Sequence, residues 1–281
     1  MGLARHANRW VPLAVLIALV GLAPPTLDAA DGPVQIKLAV DVRGLTTAAR
    51  RPFTERVAQA LRERLSIAGV KAFQVQVSGA STLLVETGRK VEKRWLHGLL
   101  TRRGVVEFRP HQDDSFEWVA LASELPDGVE LRRSDAGGDY LWSDDSASLS
   151  GLIERIALPQ HRLIVVPERS NFRAMLLGPP HADLSIREAR VGSGRVAHVE
   201  VAFDTSTADL DLARKVKTKV KEWVVVLDGE FVGHVAAAGK ARTVYINPPS
   251  SLQRAESMGW ARQVAARMAV PVPVALAVIR D

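Results

Sequence analysis

The stretch from Arg62 to Glu86, RERLSIAGVKAFQVQVSGASTLLVE, changes its period at a glycine. Before Gly69, the apolar residues Phe53, Val57, Leu61 and Leu65 recur every fourth position, the spacing of a helix buried along one face. After it, Phe73, Val75 and Val77 alternate with Gln74 and Gln76, and beyond a turn at residues 78–81 Leu83 and Val85 continue on one side, which is the pattern of two half-buried strands. Pro52 suits the first helical turn, and Gly69 offers a left-handed stop. A strand-like run at 35–42 precedes this stretch. A second helical pattern at 91–102, with Trp95 and Leu99 aligned, and a strand at 105–109 released by Gly104 follow it. The order β-α-β-β-α-β is that of a ferredoxin-like unit, two helices on one face of an antiparallel sheet.

The order recurs. Residues 196–203 alternate as a strand, 208–221 read as a helix, and 223–227 and 230–235 are strands joined at Asp228-Gly229, a strong two-residue hairpin signal. An extra strand at 243–246, a helix at 251–268 introduced by a Ser250/Gln253 capping box, and a strand at 272–279 complete the second copy. Between the copies, residues 111–150 carry ten carboxylates against Arg132 and Arg133, a net charge of −8. The expected class is therefore α+β, two ferredoxin-like units joined by an acidic linker. The expected organisation is 1–30 as a signal peptide or N-terminal anchor, 31–110 as a base unit, 111–170 as the acidic linker or insertion, and 171–281 as a head unit.

Arg5 and Arg9 precede an uncharged apolar run at 11–23, followed by Pro24, Pro25, Ala29 and Ala30. That is the layout of a secretory signal, and about 13 residues is short of the ~20 that span a bilayer, although retention as an anchor is the alternative. Either way the expectation is an exported protein of the periplasm or cell envelope, near a membrane only through this segment. Cysteine is absent, which excludes disulfides, thiolate metal sites and a cysteine nucleophile. The formal net charge of +6 is compatible with an acidic partner or an anionic surface.

No arrangement of residues points to catalysis. His97, His111, His161, His181, His198 and His234 are scattered without metal-ligand spacing, and no Gly-x-Ser-x-Gly elbow occurs. Gly192-Ser193-Gly194 lacks the third glycine and the lysine of a phosphate loop and precedes a strand, so it reads as a turn. Asp113-Asp114 and Asp144-Asp145 read as solvated carboxylates in a polar segment. Lys215, Lys217, Lys219 and Lys221 lie two apart and share no helix face, which with only two tyrosines argues against nucleic acid. Trp95, Trp118, Trp142, Trp223 and Trp260 are expected to be core or groove-lining. The expectation is a non-enzyme with no catalytic, cofactor-binding or metal-binding residues.

Several segments resemble, in order, the first periplasmic domain of SecD, the accessory subunit of the Sec protein-export machinery. They are KLAVDVRG at 37–44, the helix and hairpin with Ala68-Gly69-Val70, GVVEFRP at 104–110, LLGPP at 176–180, IREARVG at 186–192, VEVAFD at 199–204, VVVLDGEFV at 224–232 and PVPV at 271–274. Departures are Glu86-Thr87-Gly88, where the family has leucine-proline-glycine, and the missing second glycine after Gly44. In the family, membrane helices with charged residues linked to proton-driven export follow this domain. No residue here matches them, so the resemblance implies no proton-coupled translocation by this chain. It implies instead an extracytoplasmic module that binds unfolded or emerging exported polypeptides and works beside the Sec translocon. The alternative is a structural envelope scaffold that uses a SecD-head-like domain for protein–protein interaction.

Overall fold

The computed structural model describes residues 33–88, 91–111, 122, 125–133, 139–155, 161–168, 171–181, 184–204, 223–236, 243–249 and 251–279. The N-terminal apolar run, the helix expected at 208–221 with its lysines, Trp118 and Asp113-Asp114 lie outside these residues.

The chain is α+β, with three antiparallel sheets among the described residues. The first contains β1 (Val34–Val40), β2 (Phe73–Val77), β3 (Thr82–Thr87) and β14 (Leu276–Val278) in the order β14-β1-β3-β2. Helices α1 (Thr47–Ile67) and α2 (Lys93–Thr101) cover one face, and Leu38, Val57, Leu61, Leu65, Leu83 and Leu99 fill the space between them. α1 ends as expected: Gly69 has φ +74°, the Gly69 N–H bonds the Ser66 carbonyl, and the Val70 N–H reaches back to Leu65, closing a Schellman motif. It begins at Thr47, so Pro52 lies inside the helix and not at its first turn.

The sheets do not follow the expected unit boundaries. The run after Gly104 forms β4 (Val106–Pro110), which leaves the first sheet and pairs with β11 (Trp223–Leu227) from Val106↔Leu227 to Trp223↔Pro110. Its place beside β1 is taken by the C-terminal β14, with Leu38↔Val278 and Val40↔Leu276. The β-α-β-β-α-β geometry is thus completed by a strand far away in sequence. Gly104 is the pivot. Its φ of +86° turns the chain away, and a Cβ there would sit 2.2 Å from the Arg267 carbonyl oxygen, so no other residue fits without backbone movement.

The second sheet has the order β4-β11-β12-β13-β10-β9, with β9 (Ile186–Gly192), β10 (His198–Phe203), β12 (Glu230–Ala236) and β13 (Thr243–Asn247). Gly192-Ser193-Gly194 falls at the β9–β10 connection, as expected of a turn. Asp228-Gly229 forms the tight β11–β12 turn, with φ of +53° and +86°, the paired positive angles of a type I′ hairpin. Helix α4 (Arg254–Ala269) lies on one face, where Trp260, Val264 and Met268 pack with Phe108, Phe203 and Trp223. Its cap is Gln253, whose N–H donates to Glu256; the expected Ser250 lies outside the described residues.

The acidic segment is no simple connector. It contributes β5 (Glu130–Arg133), β6 (Asp139–Ser143) and α3 (Ser146–Arg155), which join β7 (Arg162–Glu168) and β8 (Asn171–Leu177) in a third sheet ordered β5-β6-β8-β7. Leu141, Leu163, Ala174 and Leu176 bury one face under Leu149 and Leu152 of α3; Ile164, Val166, Met175 and Leu177 bury the other against Val224, Val226 and Phe231 of the second sheet. Within 111–150 only Leu141 and Leu149 of these residues occur, among ten carboxylates. Asp145 likewise is not merely solvated. It caps α3, accepting from the Ala147 and Ser148 N–H groups at 3.0 and 2.9 Å, and the Ser148 hydroxyl and these amides hold its carboxyl below the usual range.

Candidate functional site

The layers run first sheet, α1 with α2, α4, second sheet, third sheet and α3. α4 therefore stands between two cores, with Ala266 packed into the first and Ala265 into the second. Polar contacts also join the halves. Arg64 of α1 is fully buried, and its guanidinium donates to the carbonyls of Leu99 (2.9 Å), Arg102, Arg103 (3.0 Å) and Val270 (2.6 Å). One cation thereby closes the C-terminal ends of α2 and α4 together, where orphan carbonyls and the helix dipole favour positive charge.

Beside it, Asp228 does more than make a turn. Its carboxylate accepts from the Gly104 N–H at 2.8 Å, the Val105 N–H at 2.9 Å and Arg267 Nη2 at 2.6 Å. The Asp228 N–H donates to the Val105 carbonyl at 2.7 Å. Burial works to raise its pKa, but the bonds from Arg267, Val105 and Gly104 outweigh it and hold the carboxyl below the ordinary value. Burial, reinforced by the Arg267 charge, lowers Arg64 to about 10 despite the nearby Asp228. This is a structural pin at the point where the chain crosses from the first sheet to the second.

Among the described residues, the six sheet edges differ in what they leave open. β4 is covered, because Gly178 and His181 donate to the Pro110 and Phe108 carbonyls. On β2 the Val75 carbonyl is occupied by Arg62 at 2.7 Å. β7 carries Pro167, which has no N–H to offer. β5 and β14 have four and three residues. β9 has seven, pairs only with β10, and no backbone group of residues 187–191 makes a further bond among the described residues. Such an edge is a template for another strand.

A groove of about 540 Å³ runs along that edge. Residues 187–191 of β9 form one side, Glu63 and Ile67 of α1 another, and Met258, Arg262 and Ala269 of α4 a third. Met258 is 39% exposed, unusual for so large an apolar side chain on a helix otherwise buried along much of its length. Arg190 is tied to Glu200 at 2.7 Å.

The residues singled out in the sequence do not converge. Among the described residues no group of histidines and carboxylates could hold a metal ion. Trp223 and Trp260 are core, Trp95 is half-buried against the first core, and Trp142 lies under the Arg132 guanidinium at 3.6 Å. In the DVRG motif, Asp41 is held near a pKa of about 2 by hydrogen bonds from Arg43. The groove residues were missed because they come from three elements distant in sequence. Only the IREARVG resemblance fell on β9.

No protein-family model matches this chain, and no curated protein matches it in sequence. Solved structures do. A crystal structure of SecDF in its super-membrane-facing form is 19% identical, covers 89% of this chain and has a TM-score of 0.48. This chain spans 30% of that one's length. A structure from work on SecDF as a membrane component that enhances protein export is 19% identical, with 88% of this chain and 100% of that one covered at a TM-score of 0.47. SecDF of Thermus thermophilus gives 19% identity, 90% and 31% coverage, and a TM-score of 0.29. No helix among the described residues is long and apolar enough to cross a membrane.

Proposed function

We propose that this chain is a non-enzymatic, extracytoplasmic polypeptide-binding domain that assists protein export, as a relative of the SecD periplasmic domain. The observation that carries the binding is the edge of β9, whose residues 187–191 have no outer backbone bond among the described residues, beside its groove. An unfolded client can satisfy the free backbone groups whatever its sequence, so selectivity is low. The export setting rests on the ordered SecD-like segments and the signal-like N-terminus. Partners in this reading are emerging exported polypeptides and components of the Sec translocon. Affinity is in roughly the micromolar range, because the client loses conformational freedom on docking. The purified protein should slow aggregation of several unrelated unfolded proteins and ignore their folded forms. Binding of no unfolded client, with a single folded envelope protein as its ligand, would replace this reading by the scaffold.

A further inference from the structure

We infer that the client adds to β9 as a seventh strand of the second sheet, with alternate small apolar side chains turned into the groove between α1 and α4. This rests on the polypeptide-binding reading and names its site. Three observations meet here. Residues 187–191 border the groove without interruption, and their outer backbone groups are unbonded among the described residues. The groove also holds apolar side chains in reach of that edge: Ile67, Val191, Met258 and Ala269.

The third observation is shape. The groove follows five consecutive strand residues, about 16 Å of extended chain. A strand laid along it pairs its backbone groups with the edge, whereas a helix, whose N–H and C=O groups bond within itself, leaves those of residues 187–191 unpaired. A flexible methionine on one wall accommodates side chains of different shape. Alternation in the client fixes its register, because a slip of one residue would turn the apolar set to solvent. The edge supplies affinity for any sequence, and the groove favours small apolar residues at every second position.

Binding of a fluorescent peptide that alternates small apolar with polar residues, measured by anisotropy on the full chain, tests this. Two further peptides carry backbone N-methyl groups on one alternate set of residues or on the other. One set should weaken binding at least about tenfold, through loss of several edge hydrogen bonds, and the other should leave it unchanged. Met258→Asp should weaken binding at least about fivefold, whereas Leu131→Asp, on the exposed β5, should not. If the parent peptide binds but neither methylation set nor Met258→Asp matters, the site is overturned while the polypeptide-binding reading stands. Tighter binding of a helix-stapled peptide, or a concentration-dependent dimer abolished by Met258→Asp, overturns the extended client in favour of a helix or a second copy. If neither the peptide nor any unfolded protein binds, the functional reading fails and this inference with it.

Discussion

Replacing Asp228 by asparagine separates the charge of the pin from the geometry of the turn. Asparagine tolerates the φ of +53° at this position almost as well as any non-glycine residue, so the hairpin itself should survive. What is lost is the negative charge between Arg267 and the Gly104 and Val105 amides. Arg267 and Asp228 expose 6% and 8% of their side chains, so the surviving cation remains buried beside the fully buried Arg64 with nothing to balance it. Removing one partner of such a pair costs about 3–5 kcal/mol. For a chain of this size that corresponds to a fall in Tm of about 6–12 °C at the lower figure. Urea titration followed by tryptophan fluorescence measures it, with Trp223 and Trp260 reporting on the second core. Arg267→Met alone should also destabilise, but the double variant should lose less than the sum, because no buried charge is stranded between those two positions. A loss below about 1 kcal/mol for Asp228→Asn, or strict additivity in the cycle, would refute the pin.

Three further outcomes follow from the same contacts. Asp228 has a folded pKa below its ordinary 3.8, so its contribution is fully present above that value and is lost as pH falls through the folded pKa; urea midpoints of the wild type should drop across that acid range and those of Asp228→Asn should drop less. Gly229→Val should destabilise by roughly 1 kcal/mol or more in thermal unfolding, since a β-branched side chain resists φ of +86°, and an unchanged Tm would count against the turn. Phe108→Ala should cost about 3–5 kcal/mol, because Phe108 is buried against Phe203 at 5.4 Å between ring centroids on a strand the second sheet needs.

Local chemistry was legible where it acts over short range. The Gly69 stop, the β2–β3 hairpin and the Asp228-Gly229 turn are decided by residues within a few positions of one another, and each stands where the sequence placed it. Sheet membership was not legible. An alternating run such as β4 or β14 carries no mark of its partner, and the exchange between them is decided by Gly104, whose neighbours Arg267 and Asp228 lie more than a hundred residues away. The third sheet was hidden for another reason: carboxylates dominate 111–150, which carries Leu141, while Leu163 and Leu176, which complete its core, lie beyond that stretch. Arg64 falls on the apolar face of α1, between Leu61 and Leu65, where the four-residue spacing alone reads it as polar surface. The groove shares this difficulty, since α1, α4 and β9 converge only in the folded chain.

The central claim is tested most directly in intact cells, by a photo-crosslinking amino acid at position 258 in the groove and a control at position 131 on the third sheet. The account predicts that position 258 captures many exported polypeptides during their passage and that position 131 does not. Capture of one folded envelope protein alone, or the same products from both positions, would contradict it.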